Sequence, residues 1–167
     1  TNAGFEDVLE LARLRMPEMY SLFCHRAAPL ISRDHIFGVT ARLNAQGEET
    51  TALEEGSVAE AIQKALLAGA EGIIVSFLHS WRNDAHERRV KDMILDMAPG
   101  VFAFTSSEVW PVIREYERGC TAIMNGYVHP RVAGYLDALE TRLASKNIPA
   151  KALLTKSNGG VMSAGDG

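Results

Sequence analysis

The sequence predicts an α/β protein. Three observations carry that expectation: an apolar run from Ile73 to Leu78 with Ser76 as its one polar residue, an amphipathic segment with Val90, Met93, Ile94 and Met97 on one face, and a second apolar run from Val101 to Phe104. Short apolar runs bounded by turn residues read as buried strands. Strand, crossover helix, strand makes a βαβ unit whose two strands run parallel with a right-handed connection.

The remaining elements follow in chain order. Phe5, Val8, Leu9 and Ala12 recur at helical spacing, so a short helix is predicted over residues 4–14, ended by Met16-Pro17. Leu22 to Asp34 has little period and contains Pro29, which reads as loop. Ile36 to Leu43 and Glu48 to Leu53 flank Asn44-Ala45-Gln46-Gly47, the pattern of a hairpin with glycine in its turn. Ser57 with Glu60 has the spacing of a capping box for a helix that runs to Leu67 and closes at Gly69. Asp84 with Glu87 repeats that spacing for the crossover helix, and Pro99-Gly100 stops it. From Thr121 onward Val128, Val132, Tyr135, Leu136, Leu139 and Leu143 mark one face of a long helix, with a kink expected at Pro130. Lys151 to Thr155 reads as a last short strand leading into Ser157-Asn158-Gly159-Gly160.

Composition narrows the function classes. The 167 residues are 47% hydrophobic and 23% charged, enough to bury a core and too apolar for a disordered tail. A net charge of −4 offers no electrostatic footprint for nucleic acid. The longest apolar run is far short of the roughly 20 residues that cross a bilayer, and no secretory signal is visible. Cys24 and Cys120 allow at most one disulfide and read as buried or reduced thiols. A cytoplasmic location is the simplest expectation. The chain begins at Thr1 and stops in a loop, so it is expected to be a piece of a longer protein.

Three groups of residues invite chemistry. In Ser157-Asn158-Gly159-Gly160 two glycines let backbone amides turn toward an anion, although an ordinary tight turn has the same composition. Arg114 and Arg118 stand four residues apart in Arg114-Glu115-Tyr116-Glu117-Arg118, and on a helix they share a face. A carboxylate or phosphate between them would relieve their repulsion. A solvated face balanced by Glu115 and Glu117 is the alternative. His79 and His86 lie beyond the buried strand, where open α/β sheets bind ligands. His86-Glu87 begins like a zinc-protease motif, but Val90 occupies the place of the second histidine, so no metal role follows. Structural histidines are the plainer reading.

The word pattern goes further. Thr1-Asn2-Ala3-Gly4-Phe5-Glu6-Asp7-Val8-Leu9, Phe37-Gly38-Val39 with Arg42-Leu43, and His79-Ser80 with Asn83 and His86-Glu87 occur in order. They are followed by Ser107-Glu108-Val109 with Pro111, Arg114 to Arg118, Asn125-Gly126-Tyr127-Val128 with Pro130, and Ser157 to Gly160. This succession resembles the hydantoinase A/5-oxoprolinase family over essentially the whole chain, departing from its pattern at Asn2, Ala41, Val112 and Gly126. The resemblance implies a part of an actin-like, ribonuclease H-like ATPase fold. Residues 1–118 would be the C-terminal part of the family's N-terminal module and 119–167 the start of its central module.

It also implies an activity for the full-length enzyme: ATP-dependent opening of a lactam or hydantoin, with Mg²⁺, after phosphorylation of the carbonyl oxygen. A carboxylase subunit of the acetone or acetophenone type is the alternative, and a non-catalytic scaffold is a third. The family's Asp-x-Gly-Gly-Thr and Ser-Gly-Pro-Ala-Gly-Gly phosphate loops are absent from these residues, so turnover by this piece alone is not expected. Catalytic roles fall on Arg114 and Arg118 for charge stabilisation and on Glu115 for orienting one of them. Ser157, Asn158, Gly159 and Gly160, with Asn125 and His86, would contact substrate or nucleotide. A hydantoinase B-type partner subunit and a homo- or hetero-oligomer are implied as well.

Overall fold

A computed structural model describes residues 1–25, 27–148, 152–155 and 159–163. The chain divides into two compact units, Thr1–Gly126 and Tyr127–Gly167.

The first unit opens with a single helical turn, α1 (Val8–Leu11), followed by a 3₁₀ turn at Ala12–Leu14. The expected helix over 4–14 is therefore cut short. Ala12, Arg13 and Leu14 all take left-handed backbone angles, which a right-handed helix cannot absorb. The hairpin forms as β1 (Arg42–Leu43) and β2 (Glu49–Thr51), antiparallel and shorter than the apolar pattern suggests. Its turn is organised by Asn44, whose Oδ1 accepts from the backbone N–H groups of Gln46 and Glu48. Upstream, Val39 pairs with Asn2 in an isolated parallel bridge.

Helix α2 (Glu55–Leu67) begins two residues before Ser57. The expected Ser57–Glu60 capping box does not form. Ser57 instead accepts from Thr40 N–H at 3.0 Å and donates to Glu54 O at 2.8 Å, so it tethers the hairpin to the helix. Gly69, at φ +79, supplies the left-handed residue after the helix. Strand β3 (Gly72–Val75), helix α3 (Ala85–Met97) and strand β4 (Phe102–Thr105) complete the expected βαβ unit, with β3 and β4 parallel and Gly72 opposite Phe102. The predicted Asp84–Glu87 box is also absent. Asn83 accepts from Ala85 N–H, Asp84 pairs with Arg88, and Glu87 turns inward. A genuine capping box opens the next short helix, α4 (Ser106–Val109), between Thr105 and Glu108.

Packing explains this order. Val58 and Ile62 of α2 and Val90 and Ile94 of α3 meet Val75, Phe77 and Ala103 from the strands in one core. Met97, expected on the buried face of α3, lies exposed one turn beyond Ile94. Gly72 is required by this packing, because a Cβ there would stand 2.0 Å from the Phe102 ring. Gly72→Ala is expected to cost about 1–3 kcal/mol through overpacking, read as a lower urea midpoint at unchanged m-value.

The last helix, α5 (Glu115–Ser145), starts six residues earlier than the expected Thr121 and continues through Pro130. In the second unit its expected apolar face is largely uncovered. Leu136 is buried, Leu139 and Leu143 are half-buried, and Val128, Val132 and Tyr135 are exposed. Strand β5 (Leu153–Thr155) pairs antiparallel with β6 (Val161–Ser163), which the sequence pattern did not reveal.

Candidate functional site

The carboxyl ends of β3 and β4 meet the start of α5, and buried charge gathers there. Glu87 of α3 is fully buried. Its Oε1 accepts from Phe77 N–H at 2.8 Å and Ser106 Oγ at 2.7 Å, and its Oε2 accepts from Ser107 N–H at 2.9 Å and Ser107 Oγ at 2.6 Å. Both strand ends are thus gripped by one carboxylate. Arg118 of α5, also fully buried, donates from Nε to Ser106 Oγ at 2.8 Å, from Nη1 to Val112 O at 3.0 Å and from Nη2 to Phe77 O. The Ser106 hydroxyl therefore relays between guanidinium and carboxylate. Burial lowers the Arg118 pKa, and the charges of Glu87 and Glu115 oppose that shift. Ser80 adds a bond to Phe77 O at 3.0 Å.

This geometry corrects the expectation that Arg114 and Arg118 share a helical face around an anion. Arg114 precedes the helix, takes φ +87 and is exposed, while its carbonyl accepts from Arg118 N–H at 3.1 Å. A side chain other than glycine at such an angle carries strain of order 1–3 kcal/mol and is held by its surroundings. The Arg118 guanidinium is committed to protein acceptors beneath the surface. Glu115 lies beside Arg114, and its Oε1 accepts from His79 N–H at 3.4 Å. His79 itself has φ +59, so the turn after β3 is held in a left-handed kink.

Arg114 and Glu115 reach the mouth of a cleft of about 760 Å³ whose walls are mainly apolar. An ion pair between Arg13 and Glu117 also borders it. Burial pushes the nearby Cys120 thiol above its ordinary pKa, partly offset by a hydrogen bond from Tyr116. Cys24 and Cys120 are both free thiols.

Arg114, Glu115 and Arg118 are thus neighbours, with only the first two at the surface. His86 belongs elsewhere: its Nε2 lies 2.6 Å from Glu49 Oε2, which ties α3 to the β1–β2 hairpin. Asn83 does the same work through Gly47 O at 2.9 Å. Asn125 is half-buried on α5. Gly159, at φ +82, and Gly160 lie in the connection between β5 and β6, whereas Ser157 and Asn158 fall outside the described residues. That connection joins antiparallel strands, the setting of a hairpin turn. Among the described residues no three His, Cys, Asp or Glu side chains converge on a metal position, and no helix is long and apolar enough to cross a membrane.

Sequence reasoning missed Glu87 and Asn2 as structural centres. Glu87 stands on the same helical stripe as Val90 and Ile94, which is a readable sign of a buried acid. Asn2, 2% exposed, donates to Ala41 O at 2.6 Å and accepts from Leu78 N–H at 2.7 Å, and nothing in its local pattern announces that role.

Residues 1–98 match the family model of the hydantoinase/oxoprolinase N-terminal region, and residues 118–166 match that of hydantoinase/oxoprolinase. The chain belongs to the hydantoinase/oxoprolinase family. An uncharacterised protein of Methanocaldococcus jannaschii is 36% identical over 164 residues, covering 96% of this chain and 24% of its own length. The caprolactamase α subunit of Pseudomonas jessenii is 30% identical over 161 residues, covering 95% of this chain and 23% of that subunit. A nucleotide-free structure of acetone carboxylase, from ATP-dependent acetone carboxylation, superimposes with a TM-score of 0.85 at 26% identity, covering 98% of this chain and 25% of that one. The α/β fold expected from the apolar runs is therefore shared with ATP-dependent members of the hydantoinase/oxoprolinase family. The chain spans about a quarter of the length of these relatives.

Proposed function

We propose that this chain is part of a subunit that uses ATP to open a cyclic amide. The carrying observation is the pairing of family membership with an exposed, strained Arg114 beside Glu115 at the carboxyl ends of β3 and β4. Crevices at that end of parallel strands are where α/β sheets place ligands.

The carbonyl oxygen of a lactam or hydantoin attacks the γ-phosphorus of ATP as the bond to ADP breaks. Water then adds to the carbon, the ring nitrogen leaves, and a second water releases phosphate from the acyl phosphate. Such transfers depend on positioned positive charge more than on a protein nucleophile. Arg114 supplies that charge in this reading, and Glu115 orients it. Arg118 acts as the anchor beneath them. Asn125 and the Ser157–Gly160 loop contact substrate or nucleotide in this reading, and His86, tied to Glu49, braces the hairpin rather than the site. Mg²⁺ accompanies the nucleotide phosphates. The described residues offer it no carboxylate cluster, so no step is assigned to the ion. In this reading the module boundary falls at 118/119, between a first family match that ends at residue 98 and a second that begins at 118. The caprolactamase and carboxylase relatives are named as subunits, which supports a partner chain, and in this reading that chain is of the hydantoinase B type. A cytoplasmic location suits the need for ATP.

Carboxylation of a ketone is the second reading, favoured by the acetone carboxylase superposition. The deciding experiment measures phosphate release from ATP by the complete subunit with its partner. Release stimulated by 5-oxoproline, caprolactam or a hydantoin without bicarbonate supports ring opening. Release that needs a ketone and bicarbonate replaces it with carboxylation. Arg114→Ala is expected to lower turnover at least about 10²-fold, the scale of one lost electrostatic contact, while leaving the unfolding free energy within about 0.5 kcal/mol, since alanine keeps the Cβ and the same strained φ. Full activity in that variant would remove Arg114 from the mechanism.

A further inference from the structure

Arg114 shares its cleft with a second cation. Arg13 lines the same space from the N-terminal side, a wall that Phe5, Val8, Leu9, His35 and Phe37 also build. It crosses 104 residues of sequence to pair with Glu117 on the first turn of α5, three residues beyond Arg114. Burial opposes the charge on Glu117. Hydrogen bonds from its own backbone and from Arg13, with the charges of Arg13 and Arg114, overcome that and lower its pKa. Both arginines therefore act on one carboxylate.

The backbone that presents Arg13 is strained. Ala12, Arg13 and Leu14 take φ values of +44, +56 and +57 in succession. Residues with a Cβ enter the left-handed region singly, and such strain persists where the surroundings impose it, most often at functional sites. Apolar burial does not account for the turn, since Leu14 stays 65% exposed. The ion pair does not account for it either, because the two side chains are 44% and 29% exposed and exposed pairs contribute little to stability. What the turn achieves is to bring a guanidinium to the cleft that Arg114 borders. Other cations nearby are not so placed. Arg33 is tied to Asp7 and Glu6, Arg15 is exposed and outside the cleft lining, and Arg118 is buried on protein acceptors.

We propose that Arg13 is a second catalytic cation, which leaves Glu117 to contact the phosphoryl group in transfer together with Arg114. This rests on the ATP-dependent reading above. A phosphoryl group in flight spreads negative charge over three oxygens, and a guanidinium fork can meet two of them at once. Glu117 holds Arg13 through Oε1, while its Oε2 is buried with no hydrogen-bond partner among the described residues. A one-pronged, half-exposed pair gives way readily to a two-pronged one. Arg13 forms no covalent bond and passes no proton; it exchanges one charged partner for another.

The test uses the complete subunit with its partner, in the presence of Mg²⁺. Affinity is measured for ADP and for ADP with aluminium fluoride, an anion that imitates the phosphoryl group in transfer. Arg13→Ala should weaken the aluminium fluoride complex at least about 10-fold while leaving ADP within about twofold, which also shows that the variant is folded. Equal affinity of the wild type and Arg13→Ala for the analogue would overturn the proposal. Glu117→Gln breaks the same ion pair and keeps Arg13, so a merely structural pair would make the two variants equal, and that result would overturn it too. Arg15→Ala controls for diffuse charge; a loss as large as that of Arg13→Ala would remove the specific role. Arg114→Ala separates the two layers of the argument. Weaker analogue binding there with none at Arg13 strikes Arg13 alone, whereas no loss in either variant strikes the assignment of phosphoryl transfer to this cleft.

Discussion

Glu87→Ala is expected to destabilise the first unit by about 3–5 kcal/mol, the cost of leaving a buried charge without its partner. The substitution removes the acceptor for two backbone N–H groups and two hydroxyls, and it takes from the fully buried Arg118 the charge nearest to it through Ser106. Glu115 remains close, so part of the cationic field is still balanced. Glu87→Gln should cost about 2–3 kcal/mol despite its matching shape. All four partners donate to the carboxylate, and an amide would turn its own NH₂ against a backbone N–H, Phe77's or Ser107's, whichever way it faced. Urea unfolding followed by circular dichroism reads both values, and a loss below about 1 kcal/mol for the alanine variant would refute the role given to Glu87.

Arg118→Lys should cost about 2–4 kcal/mol, because an ammonium at the end of a flexible stem cannot serve the three acceptors that the planar guanidinium reaches. Phe77 O and Val112 O would lose charged donors, and the loop that presents Arg114 would loosen. Turnover is therefore expected to fall more than stability alone explains. The Glu87→Ala, Arg118→Lys double variant should lose less than the sum of the two, since each substitution relieves part of the burden left by the other. Strict additivity would mean that the Ser106 relay carries no coupling.

The strand–helix–strand unit was legible because Ile73 to Leu78, with Ser76 its one polar residue, and Val101 to Phe104 are apolar, the composition that burial on both faces demands. The helix breaks at Gly69 and at Pro99 were legible from backbone chemistry alone. The two expected capping boxes were not reliable, since spacing cannot say whether a serine or glutamate faces the helix end or another element. Ser57 bonds Thr40, and Glu87 reaches across to Phe77, Ser106 and Ser107.

The site divides in the same manner. Its residue block, Arg114 to Arg118, stood out in the sequence through charge and family resemblance. Its geometry did not, because a helical wheel assumes that both arginines are helical, and Arg114 lies outside the helix at φ +87. His86 looked equally available for chemistry until the hairpin brought Glu49 to 2.6 Å.

By itself the sequence determined the fold class, the family and the places where the backbone must turn, since apolar period, proline and glycine act within a few residues of themselves. The tertiary structure alone decided which charges are buried and which face outward. That choice depends on contacts between residues far apart in the chain, as when Arg118 meets Phe77 and Asn2 meets Leu78, and no local pattern encodes such meetings.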